Sequence, residues 1–466
     1  MSTELLRMVL AQFGDIEEWR LGDPELAAQL GYPRSFSAPI ISDYATLFID
    51  YTLDARDGKP VCHEVNGANA VGSDALTGDS SRRAKLEAQQ AVNRSREFGL
   101  LGQDLRPSRG IVTIHAHQHW RWFRTGGEFY PRVDAFAEAL RNHWPGHAIV
   151  PRSAGDALGD ETVSVMVGDV PAIGERLAFD EQTRQLTVDG RTVVFVGNPN
   201  VLTELVRLGK IDGEALAPDH PAVRVLHGAR LFTAVQDKVL QQVFFRDTAV
   251  RRLRTLTLPD RSNAVRVLRR ALAVGPLVVK PNGTSGGAGV HVVTPAMADA
   301  EIETVLDRLV DDCLAKYGEG FEDVLFPLRA FEFVASTGFE RAGGGHLWDL
   351  RVGLELQPGR IDAYPVSMRL TPAPFDPKTF HKDRAQWVSN VSGRTERLLY
   401  SGMDQAALDA VGLTAARMED LFAASVTWAM RAWDAAGRGS GAVYEDRCEL
   451  ENPDFYPQQA FDTGAR

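Results

Sequence analysis

The sequence predicts a multidomain protein in which an open α/β domain lies between two regions of α+β character. The chain has 466 residues, and it can form two to four domains of roughly 100–200 residues each. Strand and helix patterns alternate over residues 106–233, as in an open, mostly parallel sheet. Residues 1–105 and 234–466 instead combine hairpins with helices. We therefore expect domain boundaries near residues 105 and 233.

The first region contains a predicted hairpin followed by a helix. An apolar run at 45–53, turn residues at 55–59 and a second strand pattern at 60–66 predict two antiparallel strands. A helix rich in Ala, Arg and Gln is expected at about 81–98. The middle region is predicted to contain strands at 111–115, 163–167, 193–196 and 223–226, and helices at 133–141 and 201–208.

The last region combines longer helices with strands. Helices are predicted at 237–250, 300–317 and 415–436. The last of these has apolar residues at three- and four-residue steps, which fits one buried face. Strands are predicted at 277–280, 290–293, 330–336, 347–356 and 361–370.

Charge and cysteine content limit the classes of function. The net charge is −11, from 51 Lys and Arg against 62 Asp and Glu. This argues against a nucleic-acid-binding protein, which normally has a basic surplus on its contact face. Cys62, Cys313 and Cys448 form no metal-binding spacing, and we find no signal-peptide pattern and no apolar run of membrane-spanning length. We therefore expect a cytoplasmic protein without nucleic-acid or membrane partners.

The clearest chemical pattern is a glycine-rich loop between two β-branched strands at 277–290. The first strand ends at Lys280, and the loop contains Gly283, Gly286, Gly287 and Gly289. Glycines let backbone N–H groups approach phosphate oxygens, and the lysine supplies a point charge. The loop is not a Walker A motif or a dinucleotide fingerprint, because no helix begins after it. A glycine-rich hairpin without a ligand is the alternative.

Together with its neighbouring segments, this loop resembles the ATP-grasp superfamily. Upstream, residues 236–240 and 254–259 resemble a family segment whose lysine contacts nucleotide phosphate, and Lys238 occupies that position. A surface lysine on a helix is the alternative for Lys238 taken alone. The resemblance implies that ATP phosphates are bound by Lys238, Lys280, Gly283, Ser285, Gly286 and Gly287.

Downstream, residues 330–334 resemble the family's hinge strand, which holds adenine through backbone groups and has acidic residues near the ribose. Glu332 and Val334 occupy the corresponding positions. The pattern Asp349-x-Arg351 and the following strand, which ends near Arg369, resemble a further family element. In that element an arginine on the return strand lies near the transferred phosphoryl group. The resemblance implies catalytic roles for Arg369 and Arg351, and ordinary surface salt bridges are the alternative for each.

The family's metal-binding hairpin resembles the predicted hairpin in the first region. Glu64 and Asn66 are two residues apart, so both point to one face of a strand, and Asp50 precedes Glu64 by 14 residues. The resemblance implies that Asp50, Glu64 and Asn66 hold Mg²⁺. Because this element normally comes last in the family, it also implies a circularly permuted ATP-grasp fold in which a pre-ATP-grasp α/β domain lies in the middle. A solvent-exposed strand and loop is the alternative.

The resemblance implies an ATP- and Mg²⁺-dependent ligase that joins a carboxylate to an amine through an acyl phosphate and releases ADP and phosphate. Its substrates would be small molecules such as an amino acid, a peptide or a natural-product intermediate. Family members commonly form homodimers. A small-molecule kinase on the same fold and a non-catalytic nucleotide-binding subunit are the two alternatives.

Three further segments have unassigned roles. His115, His117 and His119 alternate along one predicted strand, so zinc binding is conceivable, but a strand end that opens into a cleft is the favoured interpretation. Residues 80–83 are candidate substrate contacts. The acidic tail at 445–454 would be a docking strip if the protein were a non-catalytic subunit, and it suits a metal hairpin less well because Glu451 and Asn452 are adjacent.

Overall fold

The fold is described from a computed structural model. The residues that it describes are 33–42, 45–67, 88, 91–92, 111–117, 129–180, 185–196, 201, 205, 208–211, 231, 234–235, 237–281, 288–317, 325–336, 338–341, 344–389, 399–401 and 405–437. In this part of the chain the fold is mixed α/β, with several separate sheets. No helix within these ranges is long and apolar enough to cross a membrane.

The strands are numbered in chain order. They are β1 (Arg34–Ala38), β2 (Ala45–Leu53), β3 (Pro60–Asn66), β4 (Ile111–His117), β5 (Ile149–Ser153), β6 (Val163–Asp169), β7 (Leu177–Asp180), β8 (Gln185–Val188), β9 (Arg191–Val196), β10 (Thr255–Leu258), β11 (Leu277–Pro281), β12 (His291–Val293), β13 (Leu328–Glu332), β14 (Phe339–Arg341), β15 (Gly344–His346), β16 (Trp348–Gln357), β17 (Gly359–Leu370) and β18 (Leu399–Ser401). The helices are α1 (Phe129–His143), α2 (Val170–Arg176), α3 (Leu240–Val243), α4 (Arg261–Ala271), α5 (Asp299–Tyr317), α6 (Gln405–Ala410) and α7 (Ala415–Gly437).

The largest antiparallel sheet joins the two ends of the described chain. Its strand order is β1-β17-β16-β2-β3, and β18 pairs with β17. The hairpin β2–β3 has the predicted bounds. Helix α7 packs its apolar side on this sheet, and the hydroxyl of Tyr51 in β2 lies 2.7 Å from Oγ of Ser425. The long helix therefore packs beside the N-terminal hairpin.

A four-stranded sheet, in the order β10-β13-β11-β12, has two different faces. Leu277 and Val279 point into the core beneath α4 and α5, and the side chains between them point the other way, as the two-residue period of a strand requires. Val278, Lys280 and Phe331 lie on that second face and line a cavity. The β-branched strand therefore contributes to the core and to the site at once.

The middle region forms an open sheet in the order β5-β6-β4-β9-β8-β7. Strands β5, β6, β4 and β9 are parallel to one another. Strands β8 and β7 extend the sheet beyond β9 in antiparallel pairs. Two separate apolar clusters, one containing residues of α1 and the other residues of α2, pack against the strands. This is the mostly parallel arrangement that the alternating pattern predicts.

The predicted helix at 237–250 is wrong over most of its length. Only Leu240–Val243 is helical, and turns follow. The amide of Gln241 donates to the carbonyl of Val65 at 2.9 Å and accepts from its N–H at 3.0 Å, and Gln242 donates to Cys62 at 3.1 Å. These contacts cover the open edge of β3, so tertiary pairing decides the local conformation.

Several other predicted elements have different bounds or lie outside the described residues. The strand predicted at 330–336 is two residues earlier and shorter, at Leu328–Glu332. Residues 88, 91 and 92 of the helix predicted at 81–98 are described and are helical. In the helix predicted at 201–208, residues 201 and 205 are helical and residue 208 is a turn. The strand at 223–226, residues 80–83, His119 and the tail at 445–454 lie outside the described residues.

Candidate functional site

A cavity lies where the face of the four-stranded sheet meets the hairpin β2–β3 and the strands β16 and β17. The space inside it amounts to about 1090 Å³, counted to its open mouth. The predicted residues that line it are Asp50, Glu64, Lys238, Lys280, Glu332, Val334 and Arg369. Segments far apart in sequence thus meet at one place, as predicted.

Four predicted phosphate contacts cannot be placed. Gly283, Ser285, Gly286 and Gly287 lie outside the described residues. The strand before this loop and Gly289 after it are described, and Gly289 has φ +65°. A Cβ at Gly289 would lie 2.4 Å from Sγ of Cys313, so both conformation and packing require glycine there.

Two lysines from separate segments reach the cavity. Nζ of Lys238 lies 2.6 Å from Oε1 of Glu64. Nζ of Lys280 donates to the carbonyl oxygen of His63 at 3.3 Å and lies 4.5 Å from the centroid of the Phe331 ring. Burial and the charge of Lys238 lower the pKa of Lys280 to about 8. Two ammonium groups that repel each other in this way form a favourable place for an anion.

Glu64 is the acidic group of this cluster. Burial raises the pKa of its carboxyl, but the charges of Lys238 and Lys280 outweigh that effect, and the pKa lies below its usual value. The side chain keeps 21% of its surface exposed. Glu64 is therefore ionised at neutral pH and accessible from the cavity.

Asp50 binds two arginines. Its Oδ1 accepts from Nε of Arg351 at 2.7 Å. Its Oδ2 accepts from Nη2 of Arg351 at 2.8 Å, from Nη2 of Arg369 at 2.9 Å and from Nδ2 of Asn66 at 3.1 Å. Burial raises the pKa of Asp50, but the two guanidinium charges hold it well below its ordinary range.

These contacts bear on the predicted Mg²⁺ site. With three donors on Oδ2, Asp50 has little capacity left for a metal ion in this arrangement. Glu64 also lines the cavity, and its 21% exposed carboxylate is suited to be a metal ligand. Asn66 lies beside Asp50 and uses its amide nitrogen there. No three His, Cys, Asp or Glu side chains in the described ranges form a metal-binding group. The metal role of Asp50 stays a prediction, and its observed contacts anchor two arginines.

Arg369 connects Asp50 to a second carboxylate, that of Asp349. Its Nε and Nη2 both lie 2.6 Å from Oδ1 of Asp349. The hydroxyl of Ser389 donates to Oδ2 of Asp349. Asp349 and Ser389 line the cavity and were missing from the predicted site. The Asp-x-Arg spacing contains the signal for Asp349, because residues two apart on a strand share a face.

Glu332 lies in a network that joins three segments. Its carboxylate pairs with Arg251 and, at 3.2 Å, with Nη2 of Arg56, and it accepts from the backbone N–H of Arg254 at 3.1 Å. Arg56 and Arg251 also bind Asp54. The predicted ribose contact by Glu332 stays a prediction, and the observed contacts tie the N-terminal hairpin to the four-stranded sheet.

Residues 371–389, which we call the cover segment, form one wall of the cavity. Thr371, Trp387, Val388 and Ser389 line it. Phe380 packs at 4.7 Å from Phe333 and at 5.2 Å from Phe375, measured between ring centroids. This aromatic cluster attaches the cover segment to the chain just after β13.

His63 also lines the cavity and was not predicted. Burial lowers its pKa most, Lys280 and Arg369 act in the same direction, and Asp349 and Asp50 oppose them. His63 directly precedes Glu64, and neighbouring residues of a regular strand point to opposite faces. A regular strand would therefore turn only one of the two toward the site.

Comparisons with known proteins give limited information. No protein-family model and no curated protein matches the chain. Among solved structures, it is similar to a protein from Methylobacillus flagellatus KT described as "Putative gamma-glutamylcysteine synthetase", with 13% sequence identity and a TM-score of 0.41. The match covers 90% of this chain and 98% of the other. A likeness of this degree assigns no activity, so the function rests on the site itself.

Proposed function

We propose that the protein binds ATP in this cavity and uses it to join a small-molecule carboxylate to an amine, with release of ADP and phosphate. The observation that carries the proposal is the convergence of Lys238 and Lys280 beside Glu64 and Arg369 in one cavity. The remainder of the proposal rests on the resemblance to the ATP-grasp superfamily.

The electrostatics of the cavity support binding of a polyphosphate. Lys238 and Lys280 come from different segments, and their repulsion contributes to the lowered pKa of Lys280. An anion between the two ammonium groups would remove that repulsion and gain two charge-assisted hydrogen bonds. An electrically neutral ligand would leave the repulsion in place.

The apolar lining supports binding of a flat, uncharged ring at the same site. Leu253, Val278, Val290, Phe331 and Val334 line the cavity from the side of the four-stranded sheet. Small-molecule sites typically combine such apolar walls with a few charged groups that fix orientation. A nucleotide has this division between an apolar base and a charged phosphate chain.

Arg369, Glu64 and the cover segment would act on the reacting groups. Arg369 is fixed by Asp50 and Asp349, so its guanidinium is oriented before any ligand binds. A fixed cation acts strongly on charge that develops during phosphoryl transfer and acyl transfer. Glu64 would hold Mg²⁺, which supplies further charge neutralisation on the phosphates. The cover segment would exclude water, since an acyl phosphate hydrolyses readily.

The test is a screen of carboxylate and amine pairs for ADP release, with mass spectrometry of the product. We expect an amide product and ADP release that depends on both substrates and on Mg²⁺. Lys280→Ala and Glu64→Ala should abolish turnover. Lys59 is an exposed lysine in the hairpin that contains Glu64, and Lys59→Ala should retain turnover.

Other outcomes would contradict the proposal in distinct ways. ADP release that does not need an amine, with a phosphorylated product, would indicate a kinase. Tight ATP binding without turnover over the whole panel would indicate a non-catalytic subunit. Near-wild-type activity in Glu64→Ala would show that Glu64 has no role in the reaction.

A further inference from the structure

A β-bulge places two consecutive residues of β3 in the cavity. In the ladder of β2 and β3, Asp50 pairs with Glu64 and Tyr51 pairs with Cys62. His63 is thus the extra residue between two regular pairs. Cys62 is fully buried in the core on the opposite face, whereas His63 and Glu64 both line the cavity. Bulges commonly redirect a side chain beside a functional site.

His63 is surrounded by charged residues of the proposed nucleotide site. Its own carbonyl oxygen accepts from Nζ of Lys280 at 3.3 Å, so the residue contacts a proposed phosphate-binding lysine. Arg369 and Asp349 are close enough to act on its imidazole electrostatically. His63 is therefore within electrostatic range of both Lys280 and Arg369.

We infer that the imidazole of His63 donates a hydrogen bond to the terminal phosphoryl group of the bound nucleotide. The inference rests on the proposed function and adds a residue to it. An oxygen held between Lys280 and Arg369 would meet the imidazole that the bulge turns into the cavity. A neutral imidazole has one N–H in either tautomer, so the role requires no change of charge. In a regular strand the side chain of residue 63 would point into the core, where it could not reach a nucleotide.

The test compares two nucleotides that differ only in the terminal group. We would measure binding of ADP and of the non-hydrolysable analogue AMP-PNP, each with Mg²⁺, by isothermal titration calorimetry. His63→Ala should weaken AMP-PNP binding about tenfold, the size expected for one hydrogen bond to a charged group, and should change ADP binding by less than about twofold. His63→Gln keeps an N–H donor without a titrating group and should recover most of the loss.

Controls separate this role from a structural one. His143→Ala removes an exposed histidine at the end of α1 and should leave both affinities unchanged. If His63→Ala weakens both nucleotides equally, or neither, the inference is wrong while the proposed nucleotide site stands. If calorimetry detects no binding of either nucleotide to the wild-type protein or to Lys280→Ala, the proposed function and this inference both fail.

Discussion

Asp50 and Arg351 are direct cross-strand partners in β2 and β16, although 301 residues separate them in the sequence. Nε of Arg351 lies 2.7 Å from Oδ1 of Asp50, and both residues are buried. The same carboxylate also binds Arg369. This pair therefore fastens the N-terminal hairpin to the centre of the sheet and also orients a residue of the cavity.

Removal of Arg351 should destabilise the fold. Arg351→Met deletes one partner of a buried pair and leaves the Asp50 carboxylate with less compensation in a desolvated position. We expect a loss of about 3 kcal/mol in the free energy of unfolding, measured by urea denaturation followed by circular dichroism.

The matched control for this prediction is Arg34→Ala. Arg34 pairs with Glu419 at 2.7 Å, but their side chains are 43% and 49% exposed. Exposed pairs contribute little, so the expected loss is under about 1 kcal/mol. Equal effects of the two variants would show that the Asp50–Arg351 pair does not hold the hairpin in place.

The sequence predicted the hairpin because its signals are local. The apolar run of β2, the turn residues and the alternation of β3 all favour two antiparallel strands, and both strands have the predicted bounds. The strand that ends at Lys280 was predictable for the same reason. Two-residue alternation and glycine-rich turns predict strands correctly where local preference and tertiary packing favour the same structure.

The parts that were missed depend on contacts between distant segments. The bulge at His63 shifts the strand by one residue, and alternation cannot reveal such a shift. The helix predicted at 237–250 is replaced by turns because Gln241 and Gln242 bind the edge of β3. The position of the cover segment depends on the contacts of Phe380 with Phe333 and Phe375, which form only in three dimensions.

Nucleotide affinity should fall as pH rises above about 8, because the pKa of Lys280 is lowered to about 8. Below that pH the ammonium is charged and attracts phosphate, and above it the amine is neutral. The phosphate itself keeps a constant charge there, since its last pKa is about 6. We expect little change in ATP affinity from about pH 7 to about pH 8 and a decrease of up to about tenfold per unit above it, measured by calorimetry.

Lys280→Arg provides the control for the pH dependence. A guanidinium stays protonated throughout this range, so the variant should show a nearly flat profile even if its affinity is lower. A flat profile in the wild-type protein would mean that Lys280 does not contact the nucleotide as a titrating cation.

Arg369 should contribute more to turnover than to nucleotide binding. Its guanidinium is already fixed by Asp349 and Asp50, and a fixed cation acts mainly on charge that develops in the transition state. Arg369→Ala should lower the rate of ADP release about 100-fold and change ATP affinity by less than about threefold. Arg360→Ala removes an exposed arginine from the same strand and should change neither quantity. A loss of affinity at unchanged turnover would assign Arg369 to binding.

The aromatic cluster should couple the cover segment to nucleotide binding. Phe380 is buried and contacts both Phe333, which lines the cavity, and Phe375. Phe380→Ala should cost about 3 kcal/mol of stability and should also weaken ATP binding, because the wall formed by Trp387 and Val388 loses its attachment. Phe179→Ala removes a half-buried phenylalanine from the middle sheet and should lower stability without a change in affinity. Thermal unfolding and calorimetry on both variants would distinguish the two effects. If the two variants bind ATP equally well, the cover segment is held in place by contacts other than the Phe380 ring.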